Sequence, residues 1–321
     1  VVNMTMSNQE LAKRADLVIA DLNANGGLLD PEQSKVFIDK VLEQPTILKQ
    51  VRQVRMNAPQ RKINKIGFDS RILKAAPQGT TPYDDPATGV NNRYLAAADR
   101  SKPTTSQIML ETDEIMAEIR LPYEVLEDNI EGESFEAHVM RLIAERAAVD
   151  LEEWALWADT GSADALLALQ DGWLKRMHSH VVNNASAGVS PQLFELGLLA
   201  MPQKFLRTTA SLKHFVSVAN TIKYRSKVAE RATGYGDSML TGAAPIYAMG
   251  VPVEAAPMLA AQGTGNVGFL THPQNLIFGI QRQIQVETDK DIRSREIVIV
   301  LTMRAALQIE EEDATVKYTN V

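Results

Sequence analysis

The 321-residue sequence contains no cysteine, which removes disulfides, thiolate nucleophiles and thiolate metal sites together. It holds no apolar run long enough to span a membrane. The densest, IVIVL at 297–301, is five residues long and suits a buried strand. The opening VVNMTM lacks the basic patch and apolar block of a secretory signal. Acid is missing between Gln44 and Phe68, where Lys49, Arg52, Arg55, Arg61, Lys62 and Lys65 all fall. Base is scarce from 111 to 159, where fifteen acids face Arg120, Arg141 and Arg146. What remains is ordinary for a folded chain: 45% hydrophobic and 23% charged residues, which argues against extensive disorder. The length allows two domains, or one extended domain with insertions.

The net charge of −7 matters less than its division into a basic and an acidic segment. Complementary segments can steer association and fix register across a subunit boundary. Two solvated faces are the alternative, since exposed ion pairs contribute only about 0–1 kcal/mol each. Nucleic-acid binding by the basic run is disfavoured by the acidic surroundings.

Periodicity supplies the elements. Ser7 with Glu10 forms a capping-box pair ahead of Leu11, Ala15, Val18, Ile19 and Leu22, with Gly26 and Gly27 as a stop. Asp30 and Pro31 open a second helix with Val36, Phe37, Val41 and Leu42 on one face, ended by Pro45. Two such short helices bury little alone and need something to dock on. Residues 61–76 read as extended, 77–103 as a loop rich in proline and glycine, and 105–122 as extended again. The simplest reading is a long two-stranded arm, marginal by itself and needing a neighbour.

Beyond Gly132 a helix of roughly two dozen residues carries Phe135, Val139, Leu142, Ile143, Ala147, Leu151, Trp154, Ala155 and Ala158 at helical spacing. Trp154 and Trp157 read as packing anchors. Ser190 and Pro191 open another helix, residues 211–219 read as a strand, and Asn220 as the cap of a helix through Ala232. GVPV at 250–253 suits an edge strand or bulge. Strands are expected at 267–270, 280–288, 297–303 and 305–309. Helices and strands are segregated instead of repeating as βαβ units, so the fold class is α+β.

The chemical motifs are weak. Gly263, Gly265 and Gly268 spell GxGxxG, but a strand follows where a dinucleotide site needs a helix. His178 and His180 lack a third ligand nearby. Glu152 with Glu153, and the run 310–313, read as solvated charge. No nucleophile elbow, P-loop or histidine-centred triad stands out, so no enzyme, cofactor or metal is expected.

Several short motifs occur in one order: IGFDSRIL (66–73) before a proline-rich loop, LEDNIE (126–131), IAERAAVDLEEWAL (143–156), DTG (159–161), AMPQKFLR (200–207), ATGYG (232–236), GVPV, and a closing strand block at 276–314. In that order, across almost the whole chain, the sequence resembles the tailed-bacteriophage major capsid proteins of the Hong Kong 97 type. The resemblance implies an N-terminal arm (1–60), an extended β-hairpin loop (61–122), and a peripheral domain with the spine helix (123–189). It further implies an axial domain (190–270) and peripheral return strands (271–321).

By the same resemblance the function is an icosahedral shell subunit around double-stranded DNA, bound without sequence specificity. Its partners are other copies in pentamers and hexamers, a scaffold protein, a portal and a decoration protein, and no membrane. Expected inter-subunit contacts are Lys49, Arg52, Arg55, Arg61, Lys62, Lys65, Pro82, Tyr83, Pro86 and Arg93. Expected spine packing falls on Phe135, Val139, Leu142, Ile143, Leu151 and Trp154. An encapsulin-like nanocompartment and an α+β hydrolase are the rival readings.

Overall fold

The computed structural model describes residues 45–68, 71–75, 95, 100–124, 134–230, 246–263 and 266–321. The chain forms two compact units, the smaller being Gln60–Leu110.

In the larger unit, helix α1 (Ser134–Trp157) has 24 residues, about 36 Å at 1.5 Å per residue. Its two halves differ. From Val149 to Ala158 nearly every residue is buried, whereas Val139 to Ala148 are half-buried or exposed. A four-stranded sheet has the order β1 (Arg52–Arg55), β10 (Leu276–Asp291), β11 (Glu296–Ile309), β4 (Asp113–Pro122). The chain of β11 alternates half-buried with buried residues along most of its length, the period-2 signature of a sheet with one covered face. Trp154, Trp173, Phe278, Met303 and Leu307 meet in the core between α1, the single turn α2 (Trp173–Arg176) and this sheet.

A six-stranded sheet has the order β5 (Val181–Asn183), β12 (Thr315–Thr319), β9 (Val267–Thr271), β6 (Lys213–Val216), β8 (Val251–Ala255), β7 (Tyr247–Ala248). Helices α3 (Pro191–Ala200) and α4 (Val218–Ala229) close a second core with it around Phe194, Tyr224, Val316 and Tyr318. Proline at the first position of α3 loses no hydrogen bond. The hydroxyl of Ser217 accepts the amide of Asn220 and so caps α4. Gly197 lets α3 approach β12: a Cβ there would fall on the phenol ring and hydroxyl of Tyr318. We therefore expect Gly197→Ala to destabilise the subunit. Overpacking costs about 1–3 kcal/mol, and here it exceeds the roughly 1 kcal/mol that alanine gains in a helix. Urea unfolding of the purified subunit checks this.

Four sequence expectations change. Residues 113–122, read as the returning strand of the arm, instead pair antiparallel with β11, Leu121 opposite Ile297 and Asp113 opposite Ala305. The break is at Thr112, whose hydroxyl and amide both donate to the carbonyl of Pro59. The strand expected over 211–219 stops at Val216, because the Ser217 hydroxyl starts α4 three residues before the expected cap at Asn220. β8 is not at an edge, but Pro252 precedes the residues paired with β6, so its missing N–H interrupts no bond to that strand. Finally β12 was not anticipated, and it lies inside the six-stranded sheet between β5 and β9. Residues 315–319, expected among the return strands, thus share a sheet with β5, β9, β6, β8 and β7.

In the smaller unit, β2 (Gln60–Gly67) and β3 (Thr104–Glu111) form a two-stranded sheet of their own.

Candidate assembly surfaces

A two-stranded sheet has no covered face of its own, and β2 and β3 are exposed at most positions. The end of β2 and the residues after it are more apolar than such exposure explains. Ile66, Phe68, Ile72 and Leu73 are 74%, 55%, 51% and 79% exposed. Several large apolar side chains exposed within a short stretch point to an interaction site. On β2 itself Arg61 and Lys62 are exposed and Lys65 is half-buried. Pro82, Tyr83, Pro86 and Arg93 lie outside the described residues, as does the arm expected over residues 1–44.

The other three cations of the basic run belong to the larger unit. Arg52 on β1 pairs with Glu310 at 2.8 Å within the chain, Arg55 is exposed, and the charge of Lys49 acts on Glu152. The basic run is thus divided between two units. β1 itself is held parallel to β10, Arg52 opposite Ile277.

Glu152 on α1 departs furthest from its expected role as solvated charge. It is fully buried, and its Oε2 accepts the amides of Ile47 at 3.0 Å and Leu48 at 3.3 Å. Burial pushes its pKa up, against the pull of the amides of Leu48, Ile47 and Thr46 and the charge of Lys49. This carboxylate fixes the chain where it enters the core. Its neighbours Leu151 and Trp154 are apolar, but the burial of this half of α1 is set by the fold. We expect Glu152→Ala to cost about 2–3 kcal/mol, since two amides lose a charged acceptor in a buried place. Glu152→Gln keeps an acceptor oxygen and should cost less. Thermal unfolding of both variants tests the ranking.

Of the expected spine residues, Leu151 and Trp154 are buried in the main core. Val139 and Ile143 pack at the margin of a smaller cluster with Leu121, Ile297 and Ile299. Leu142 is half-buried, and the side chain of Phe135 is outside the described set. Around the six-stranded sheet, exposed apolar residues recur that the sequence reading did not single out. Leu196 and Leu199 on α3, Val218 and Ile222 on α4, and Tyr247 and Met249 at the β7–β8 hairpin are all exposed. Met249 and Gly250 form the hairpin turn with φ of 50° and 82°, the primed geometry of a two-residue loop.

Among the described residues no three histidine, aspartate or glutamate side chains converge as metal ligands. No described helix is long and apolar enough to cross a membrane. The ring of His178 lies 2.9 Å from the carbonyl of Arg176 and beside Glu312. Gly268 of the GxGxxG run stands in β9, where a Cβ would press on the carbonyl of Phe215. That glycine serves strand packing.

No protein-family model matches the chain. It is 37% identical over 324 residues to "Putative prophage capsid protein YqbE" of Bacillus subtilis (strain 168), spanning 98% of this chain and 99% of that protein. The chain belongs to the tailed-bacteriophage major capsid protein family. Solved capsids share the fold at low identity. The capsid of the native GTA particle superposes with a TM-score of 0.64 at 13% identity, over 94% of this chain and 99% of that one. The corresponding values for Mycobacterium phage Bobi are 0.61 at 12%, over 95% and 99%. For the satellite phage P4 procapsid with its size determination (Sid) protein they are 0.57 at 13%, over 98% of each chain. The architecture is the α+β fold of Hong Kong 97-type capsids. As a major capsid protein the chain is a structural subunit of the virion shell and not an enzyme.

Proposed function

We propose that this major capsid protein closes its shell by laying the hairpin of residues 60–111 on an adjacent copy, and that the face of α3, α4 and the β7–β8 turn meets its equivalents around five-fold and six-fold centres. The observation that carries the reading is the hairpin: a separate two-stranded sheet with exposed Ile66 in β2 and exposed Phe68, Ile72 and Leu73 after it. Such a sheet is marginal in water, and a neighbour's surface supplies the missing cover. Head-to-tail contacts of one surface with a different one generate rings. Support for pentamers comes from the GTA capsids of the same fold, whose structures were computed with C5 symmetry. The P4 procapsid contains a second assembly protein, which favours a scaffold as partner here. Portal, decoration protein and packaged double-stranded DNA complete the proposed set.

Removing residues 77–103, the tip of the hairpin, is expected to leave a folded, soluble subunit that no longer forms shells. Sedimentation and electron microscopy of the purified variant read this out, and shells of normal size from the deletion would contradict the proposal. Wild-type shells should contain genome-length DNA, whereas a protein cargo would point to a nanocompartment.

A further inference from the structure

Strand β10 has 16 residues, but β1 covers one of its edges only from Ile277 to Ile280. The amide of Met56 adds one further bond, to the carbonyl of Ile280, and the pairing then stops. A cavity of about 450 Å³ opens there, lined by Arg55, Met56 and Asn57 where β1 ends and by Gln283 and Gln285 of β10. Beyond it, residues 285–290 are exposed at every position, whereas β11 on the other side keeps its alternation. Among the described residues no strand covers this edge of β10 from there to Asp291.

Open edges are commonly guarded by charge, and here the guard is acidic. Glu287, Asp289 and Asp291 stand two apart, on one face of the strand, with Lys290 on the other. A strand added to this edge has to suit those acids. Of the described strands with an open edge, β3, β4, β5 and β7 carry no net positive charge, and β1 is already seated on β10. β2 is the cationic one, with Arg61, Lys62 and Lys65 and no acid, and β3 occupies only one of its edges.

We infer, on the reading that the hairpin lies on an adjacent copy, that β2 of one copy adds as a parallel strand to the open edge of β10 in the next. In such strand addition the backbone bonds supply affinity and the alternating side chains set the register. With Arg61 opposite Glu287, Lys65 falls opposite Asp291, Lys62 opposite Thr288 and Ile66 beside Ile292. Those two isoleucines are 74% and 83% exposed in the single subunit, and the register covers both. The antiparallel register that makes the same charge contacts, Arg61 to Asp291 and Lys65 to Glu287, sets Lys62 against Lys290. Like charges directly opposite destabilise a sheet, so the parallel arrangement is preferred.

Because the chain has no cysteine, introduced thiols report only on each other. In assembled shells, Asn64→Cys with Lys290→Cys should join neighbouring chains by a disulfide under oxidised glutathione. Asn64→Cys with Asp289→Cys, whose thiol lies on the opposite face of β10, should do so about tenfold more slowly. Equal rates, no cross-link, or a disulfide within one chain would overturn the assignment. Charge reversal reads the same contact without oxidation. Arg61→Glu should raise the subunit concentration needed for shells by about tenfold, and Glu287→Arg in the same chain should restore it. Absence of that rescue would equally overturn the assignment. If these tests fail while deletion of residues 77–103 still abolishes shells, the hairpin docks on its neighbour elsewhere and only the β10 site falls.

Discussion

Replacing Trp154 by alanine is expected to cost about 3–5 kcal/mol, the range for deleting a fully buried large aromatic. The side chain has no exposure at all and sits where α1, α2 and the four-stranded sheet meet, with Trp173, Phe278 and Leu307 in the same cluster. Filling that void requires helix and sheet to move together, and α1 is anchored beside it by Glu152 on the entering chain. Against a typical total of about 5–15 kcal/mol, the loss is about a fifth or more of the stability, with a fall in Tm on the order of 10 °C. Trp154→Phe should cost less, because the buried indole Nε1 has no hydrogen-bond partner among the described residues and phenylalanine leaves no orphaned donor. The half-buried Val139, on the same helix, gives the contrast: Val139→Ala should shift Tm by far less. Calorimetry of the three variants ranks them, and a Trp154→Ala subunit as stable as Val139→Ala would refute the assignment of the core.

That contrast also shows how far the sequence could be read. The apolar spacing from Phe135 to Ala158 specifies one helix and its inner face, because a 3.6-residue period is a local property. It does not reveal that most of the second half is buried while the first is half-buried or exposed. Depth of burial is set by residues far away in sequence, such as Met303 and Leu307 on β11. Glu152 was misread for that reason. Its charge suggests solvent, and only the fold brings the amides of residues 47 and 48 to it across 105 and 104 residues of sequence.

Strand partners were still less legible than helix faces. Residues 104–122 hold an almost continuous run of strand character. Its first part pairs with β2 and its second with β11, with Leu301 opposite Ala117, 184 positions earlier. β12 is five residues long, with Val316 and Tyr318 buried on either side of the half-buried Lys317. An alternation so short after three glutamates and an aspartate carries little weight alone. Its partners, β5 and β9, are supplied from distant parts of the chain. Of the surfaces, the expected contacts at residues 49–65, 82, 83, 86 and 93 did not include the exposed Ile66, Phe68, Ile72 and Leu73 of the hairpin. The exposed residues of α3 and α4 look like ordinary helix residues until the other face is known to be covered.

Acidification should weaken the second core through His214. The imidazole is fully buried, its Nδ1 lies 3.0 Å from the Tyr318 hydroxyl, and the ring of Phe194 is centred 4.6 Å away. Burial lowers its pKa from 6.5 to about 3, and it raises that of Tyr318, so both remain neutral at ordinary pH. The unfolded chain takes up a proton below about pH 6.5 while the native chain does not, and each pH unit in that window then costs about 1.4 kcal/mol. The loss continues until the folded value near 3.

Other groups titrate differently. Asp171, lowered to about 2 by the hydrogen bond from Lys175, loses its contribution only as pH falls below the unfolded value of 3.8. Glu152, whose pKa is raised, acts in the opposite sense: above 4.5 its contribution grows as pH falls, so it masks part of the histidine effect in the wild type. The difference between proteins isolates it. Between pH 6 and 4.5, urea unfolding of the unassembled subunit should show wild type losing about 1.4 kcal/mol per pH unit more than His214→Phe. Parallel pH profiles would mean that the imidazole is protonated in the native fold, which its apolar surroundings and the neutral Tyr318 hydroxyl do not support.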